Sequence, residues 1–190
     1  IESTKFGYIE SLDKIFEKNN NHFPKIEKAG GTTKVTATYD SSTLSSDITN
    51  PTQTGYTFAG WYSVQDGGVM VIDASGKLQA NRSGFTNADS KWSATSNKTL
   101  YAKWTANTYT VTLDNQGATS AGTTSVTATY ASAMPPITPP ERTGYTFGGY
   151  YTDTNGAGTQ YYHGTGTSFR NWNIASNNTT LYAKWTANKY

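Results

Sequence analysis

The sequence predicts a mainly β or α+β protein built as two tandem small modules behind a short N-terminal helix-containing segment. First, Thr54-Gly55-Tyr56-Thr57-Phe58-Ala59-Gly60-Trp61-Tyr62 recurs as Thr143-Gly144-Tyr145-Thr146-Phe147-Gly148-Gly149-Tyr150-Tyr151, and each copy is closed by one phrase, Leu100-Tyr101-Ala102-Lys103-Trp104-Thr105-Ala106-Asn107 and Leu181-Tyr182-Ala183-Lys184-Trp185-Thr186-Ala187-Asn188. A duplicated pattern in a 190-residue chain makes two modules of roughly 80 residues, each burying only about 60 to 65% of its unfolded surface. Second, 14 Tyr, 7 Phe and 5 Trp stand among abundant Thr, Ser, Gly and Asn with few aliphatic residues, which suits strands joined by polar turns rather than a helical bundle. Third, apolar residues alternate with Thr in Gly31–Tyr39 and in Gly122–Tyr130, the period of a half-buried strand.

Taken in order, residues 1–30 form an N-terminal segment with no counterpart later, residues 31–106 the first module and residues 107–190 the second. Leu12, Ile15 and Phe16 share one face of a short helix over 11–19, with Ser11 as N-cap and Asn19 to Asn21 as its stop. The second module opens with the alternating strand Tyr109–Leu113, which the first module lacks. Either Lys5–Glu10 or a strand between Pro24 and Lys28 fills that place, or the segment is a remnant of a preceding domain. In the matched strands, Val35, Ala37 and Tyr39 lie on one face. The following stretches carry Pro51 in one copy and Pro135, Pro136, Pro139 and Pro140 in the other, which exclude a continuous helix but allow a single turn.

In the signature strand, alternation puts Tyr56, Phe58, Gly60 and Tyr62 on one face and Ala59 and Trp61 on the other. Both faces are then apolar, which reads as a central strand. Gly60 and Gly149 occupy the same place, where a missing side chain permits a close approach or a bulge. The copies next diverge in length, as surface loops tolerate, with an Asp73-Ala74-Ser75-Gly76 turn between short strands in the first copy. Trp92 and Trp172 restore the register. The closing strands point Leu100, Ala102 and Trp104 inward and Tyr101 and Lys103 outward. The linker Thr105–Thr108 is too short for free tumbling and predicts a semi-rigid tandem.

These ordered phrases, Gly-Tyr-Thr-Phe-x-Gly-Trp/Tyr-Tyr followed by Thr-Leu-Tyr-Ala-Lys-Trp, resemble the Listeria-Bacteroides repeat family. The resemblance covers about residues 31–106 and 109–188. It implies a β-grasp-like fold, a small mixed sheet on a short helix or helical turn, in tandem arrays on secreted or surface-anchored bacterial proteins. It also implies roles as stalks, spacers and adhesion modules, with no enzymatic activity in the repeat itself.

The charge balance, 15 Lys plus Arg against 13 Asp plus Glu, leaves no footprint for nucleic acid or an anionic membrane. No apolar stretch reaches the roughly 20 residues that span a bilayer, and the first residues do not read as a signal peptide. The expectation is a soluble, extracellular piece of a longer multidomain chain, monomeric within it. Zero cysteine excludes disulfides, thiolate metal sites and thiol nucleophiles.

His22 and His163 stand without an evident nucleophile or orienting carboxylate, and the first copy has no His at the place of His163, so catalysis is not expected. Asp153-Thr154-Asn155-Gly156 resembles the start of a calcium loop but lacks the closing Glu and reads as a turn. No metal or cofactor is expected. The ambiguity lies in the aromatics. Trp61, Tyr101, Tyr150, Tyr162 and Tyr182 would suit a platform on which sugar rings stack, whereas their repetition in register suits a fold requirement better. The functional expectation is a non-catalytic spacer or adhesion module with a host or cell-surface protein or glycan as partner. The alternatives are a carbohydrate-binding accessory module of a secreted hydrolase and, more distantly, a hydrolase domain.

Overall fold

A computed structural model describes residues 31, 34–44 and 48–190, together with the backbone of 6–11 and 28–29. The chain divides into two compact units, Ile1–Thr105 and Ala106–Tyr190. Both are β-structures. The helix expected over 11–19 lies outside the described residues, apart from Ser11, which ends a strand.

Unit 1 contains β1 (Phe6–Ser11), β2 (Lys28–Ala29), β3 (Lys34–Thr38), β4 (Thr52–Gln53), β5 (Tyr56–Tyr62), β6 (Met70–Asp73) and β7 (Lys98–Ala106). They form one sheet in the order β2-β4-β5-β7-β1-β3, with β6 also paired to β5. Unit 2 contains β8 (Thr108–Asp114), β9 (Ser125–Thr129), β10 (Tyr145–Tyr151) and β11 (Thr179–Ala187), in the order β10-β11-β8-β9. β1 pairs antiparallel with β3 and parallel with β7, as β8 pairs antiparallel with β9 and parallel with β11. The register matches. Gly7, Ile9 and Ser11 face Ala37, Val35 and, on the parallel side, Leu100; Tyr109, Val111 and Leu113 face Ala128, Val126 and Leu181.

β8 shows why this sequence makes a strand: Tyr109, Val111 and Leu113 are buried, while Thr108, Thr110 and Thr112 face solvent. The equivalence between units breaks at one ring. Tyr130 is 9% exposed and packs edge-on against Tyr109 with ring centroids 6.5 Å apart, whereas Tyr39, expected to be buried with Val35 and Ala37, is 54% exposed. The place of Tyr109 is held by Gly7, which carries no ring.

The signature strand departs from simple alternation. Gly60 (φ 128°) and Gly149 (φ 108°) sit in a backbone conformation that side chains disfavour. Along β10 the pairing with β11 shifts between Phe147 and Tyr150. The bulge rotates the residue after glycine onto the inner face. Phe147 and Tyr150 therefore touch with centroids 5.1 Å apart, as Phe58 and Trp61 do at 5.3 Å, rather than pointing to opposite faces. A Cβ on Gly149 would lie 2.0 Å from the Tyr162 carbonyl oxygen, and one on Gly60 2.7 Å from that of Ile72. The glycine thus serves bulge and close approach together. β5 is interior to its sheet as a central strand should be, but β10 is an edge strand of the four.

The cores are aromatic. In unit 1, Trp61, Trp92, Val71, Ile72, Leu78 and Leu100 cluster with Val35 and Ala37. In unit 2, Tyr150, Tyr161, Tyr162, Trp172, Val111 and Leu181 are buried at 2% exposure or less. Trp92 and Trp172 clamp the segments after β3 and β9 in the same way. The Asp40 N–H donates to the Trp92 carbonyl (2.8 Å) and the Trp92 N–H to the Ser41 carbonyl (2.9 Å); Ala131, Trp172 and Ser132 repeat this at 2.7 and 2.9 Å.

In unit 2 a helical turn, rather than a longer helix, packs against β10 and β11. Among the described residues the single helical element is a 3-10 turn, Thr154–Gly156, between β10 and β11. Between β9 and β10 the chain is irregular, because four prolines without N–H groups cannot sustain helical hydrogen bonding. That segment is tied down by a Tyr162 hydroxyl bond to the Pro135 carbonyl (2.9 Å) and a Met134 N–H bond to Ser168 Oγ (3.0 Å).

Candidate functional site

The five aromatics singled out from sequence separate into two groups. Trp61 (4% exposed), Tyr150 (0%) and Tyr162 (0%) belong to the cores. Buried rings offer no face to a sugar, so these three form no stacking platform. Tyr150 donates its hydroxyl proton to Asn115 Oδ1 and Tyr162 to Pro135, and burial pushes both phenols well above the ordinary tyrosine range. Tyr101 and Tyr182 remain half-exposed on the outer face.

Around Tyr182 the outer face is organised. Tyr151 is its register partner across β10 and β11, and the Lys184 ammonium lies 5.7 Å from the Tyr151 ring centroid. The lysine stem runs along two glycines, since a Cβ on Gly148 would come to 3.3 Å, and one on Gly156 to 2.4 Å, from Lys184 Cδ. Unit 1 repeats the pair: the Lys103 ammonium stands 5.0 Å from the Tyr62 centroid. Thr180 pairs with Thr112, Thr112 with Ser125, Thr110 with Thr127 and Thr108 with Thr129, so hydroxyls continue this face across the sheet. Strand geometry spaces such hydroxyls about 5 Å across and about 7 Å along the sheet. Rings, a cation and hydroxyls on an open β-surface can make weak stacking and hydrogen-bond contacts. Sequence reasoning placed Tyr101 and Lys103 outward but missed the Tyr62–Lys103 and Tyr151–Lys184 pairs, whose signal is the recurrence of Tyr-Tyr or Trp-Tyr upstream of Ala-Lys-Trp in both copies.

His163 is exposed, with its ring centroid 4.9 Å from that of Phe169. It heads a turn in which its N–H donates to the Thr167 carbonyl (2.9 Å) and the Gly166 N–H to its own carbonyl (3.0 Å). Asp73 heads the same turn in unit 1, with its N–H donating to Lys77 and the Gly76 N–H to its carbonyl. The Asp73 carboxylate accepts from the Ser75 N–H and hydroxyl, the Lys77 N–H and Gln79 Nε2. Both residues are turn formers. Among the described residues no group of three His, Asp or Glu side chains is gathered where a metal ion would sit, and no helix is long and apolar enough to cross a membrane. Asp153 stands in extended backbone before the 3-10 turn Thr154–Gly156, in which Asn155 has φ 59°.

The Listeria-Bacteroides repeat domain matches residues 27–83 and 109–184. Among curated proteins the chain is 33% identical over 155 residues to internalin H of Listeria monocytogenes, covering 82% of this chain and 24% of that protein. It is 29% identical to a protein of Evansella cellulosilytica whose name describes a Gly-rich membrane protein, over 91% of this chain and 18% of that one. The chain thus spans about a quarter or less of the length of these relatives. No solved structure matches significantly. On the two matched segments and the two equivalent units, the chain belongs to the Listeria-Bacteroides repeat family.

Proposed function

We propose that the chain is a non-catalytic spacer and adhesion segment of a bacterial cell-surface protein, and that its units are built to bear tension. The observation that carries this reading is the parallel pairing of first and last strands in each unit, β1 with β7 and β8 with β11. Chain entry and exit lie at opposite ends of such a pair. A stretching force therefore loads its hydrogen bonds in shear, so that they must fail together, instead of peeling them one at a time. Only Asn107 separates β7 from β8, which passes load from one unit to the next with little slack. The similarity to an internalin and to a membrane protein supports a surface location, and the β-grasp-like description fits the mixed sheet order with a parallel central pair.

Single-molecule pulling tests this directly, because a cysteine-free chain accepts handles at chosen cysteines. Unit 2 pulled between positions 108 and 187 should resist several-fold more force than when pulled between 108 and 129, register partners that unzip from one end. Equal forces in the two geometries would remove the basis for a force-bearing role.

A second reading, glycan binding, is favoured by the Tyr151–Tyr182 pair beside the threonine hydroxyls. Because Tyr182 lies outside the core, Tyr182→Ala should leave the fold intact. Glycan-array signal lost in that folded variant supports this reading, whereas signal that persists, or none from the parent chain, discards it.

A further inference from the structure

We propose that the strand position between β3 and β7 in unit 1 is an exchange site that accepts an extended segment with Tyr, Val and Leu at alternate positions, the first strand of another repeat. The walls of this position are those of unit 2. Val35 and Ala37 stand where Val126 and Ala128 stand, and Leu100 where Leu181 stands, in the same register. Only the occupant differs. In unit 2 it is β8, which buries Tyr109, Val111 and Leu113 at 8%, 0% and 3% exposure. In unit 1 it is β1, which brings Gly7 and Ser11 to the places of Tyr109 and Leu113.

Two of three apolar anchors are therefore missing from the resident strand. The exposure of Tyr39, 54% against 9% for its counterpart Tyr130, is the visible result. A strand of the β8 type would keep every backbone pairing that β1 makes. It would add a ring against Tyr39 and an apolar side chain opposite Leu100. Strand addition of this kind derives affinity from main-chain hydrogen bonds and specificity from alternate side chains. The occupant so defined is a partner chain presenting an unpaired first strand of a Listeria-Bacteroides repeat, which would link two surface chains through their repeats. The inference goes beyond the spacer role and does not require it.

The probe is a fluorescently labelled peptide with the sequence of Thr108–Asp114, titrated into the full chain and followed by anisotropy. Saturable binding is expected, and the same peptide with its Val replaced by Asp should bind at least tenfold weaker. A Gly7→Tyr, Ser11→Leu variant supplies the missing anchors in the resident strand, so the peptide should bind it at least tenfold more weakly than it binds the parent. Hydrogen exchange on the unaltered chain should show peptide-dependent protection in Lys34–Thr38 and Lys98–Ala106. Absence of saturable binding, equal binding to the folded double variant, or protection confined to other strands overturns the proposal. Should the double variant fail to fold by circular dichroism, the hydrogen-exchange footprint decides alone.

Discussion

Two adjacent glycines in β10 should respond very unequally to one added methyl group. At Gly149 the φ of 108° is strained for any L side chain, at a cost of about 1–3 kcal/mol. A Cβ there also lands 2.0 Å from the Tyr162 carbonyl oxygen and 2.9 Å from Gln160 Nε2. The first of these is backbone held in the core and cannot swing away, so overpacking adds about 1–3 kcal/mol. Gly149→Ala should thus lose about 4 kcal/mol, against a total of about 4–12 kcal/mol for a unit this size. At Gly148 the nearest atom to a new Cβ is Lys184 Cδ at 3.3 Å, part of a flexible stem, and no positive φ is required. Ala59 fills the corresponding place in unit 1. Gly148→Ala should therefore cost under about 1 kcal/mol. Differential scanning calorimetry of the whole chain reads both, with the unit 1 transition as internal control. At about 4–8 °C per kcal/mol, Gly149→Ala should lower the unit 2 transition by more than about 15 °C or abolish it. A Gly149→Ala variant within about 1 kcal/mol of the parent, or a Gly148→Ala variant damaged as badly, would refute the assignment of bulge and close approach to this one residue.

Further predictions concern pH. Burial tends to raise the Asp73 carboxyl, but hydrogen bonds from the Ser75 hydroxyl, the Lys77 and Ser75 N–H groups and Gln79 outweigh it and hold the pKa below the ordinary range. A folded pKa below the unfolded value means that the contribution is complete above about pH 4 and fades as pH falls through the folded value. The unit 1 urea midpoint should accordingly drop more between pH 5 and 2.5 in the parent than in Asp73→Asn; equal drops contradict the role given to that turn. Burial raises Tyr150, with the Asp114 charge and Tyr162 adding to it, and raises Tyr162 and Tyr161, the latter opposed by Arg170. These phenols favour a fold that keeps them neutral, so their contribution is whole below about pH 10 and is lost above it. Phenolate absorbance should then rise in a late step coincident with loss of unit 2 near-ultraviolet dichroism. A smooth titration of all tyrosines in a still-folded chain would contradict their burial.

Much of the fold was legible because it is local and written twice. Alternation of Val, Ala and Thr marks β3 and β9, and the inward Leu100 and Leu181 follow from period alone. What escaped is non-local. Opposite faces for Phe58 and Trp61 followed from unbroken alternation, and the positive φ of Gly60 defeats it although the glycine itself announced the position. Burial of Tyr39 failed because it depends on what residue stands across the sheet, and Gly7 is far away in sequence. The backbone clamp of Trp92 on Asp40 and Ser41 carries no side-chain signature at all. For the candidate surface, Tyr101 and Tyr182 could be placed outward by parity, whereas the lysine over Tyr151 depends on a slot between two glycines that only three-dimensional proximity reveals.

Parallel pairing between first and last strands also constrains how a unit comes into being. Asp114 waits for Tyr182, and Ser11 for Leu100, before the centre of either sheet can close. Contacts so distant in sequence fold slowly, since loop closure precedes any reward from pairing. A chain emerging amino end first, from a ribosome or a narrow pore, thus holds each repeat open until its final Leu-Tyr-Ala-Lys-Trp strand is free.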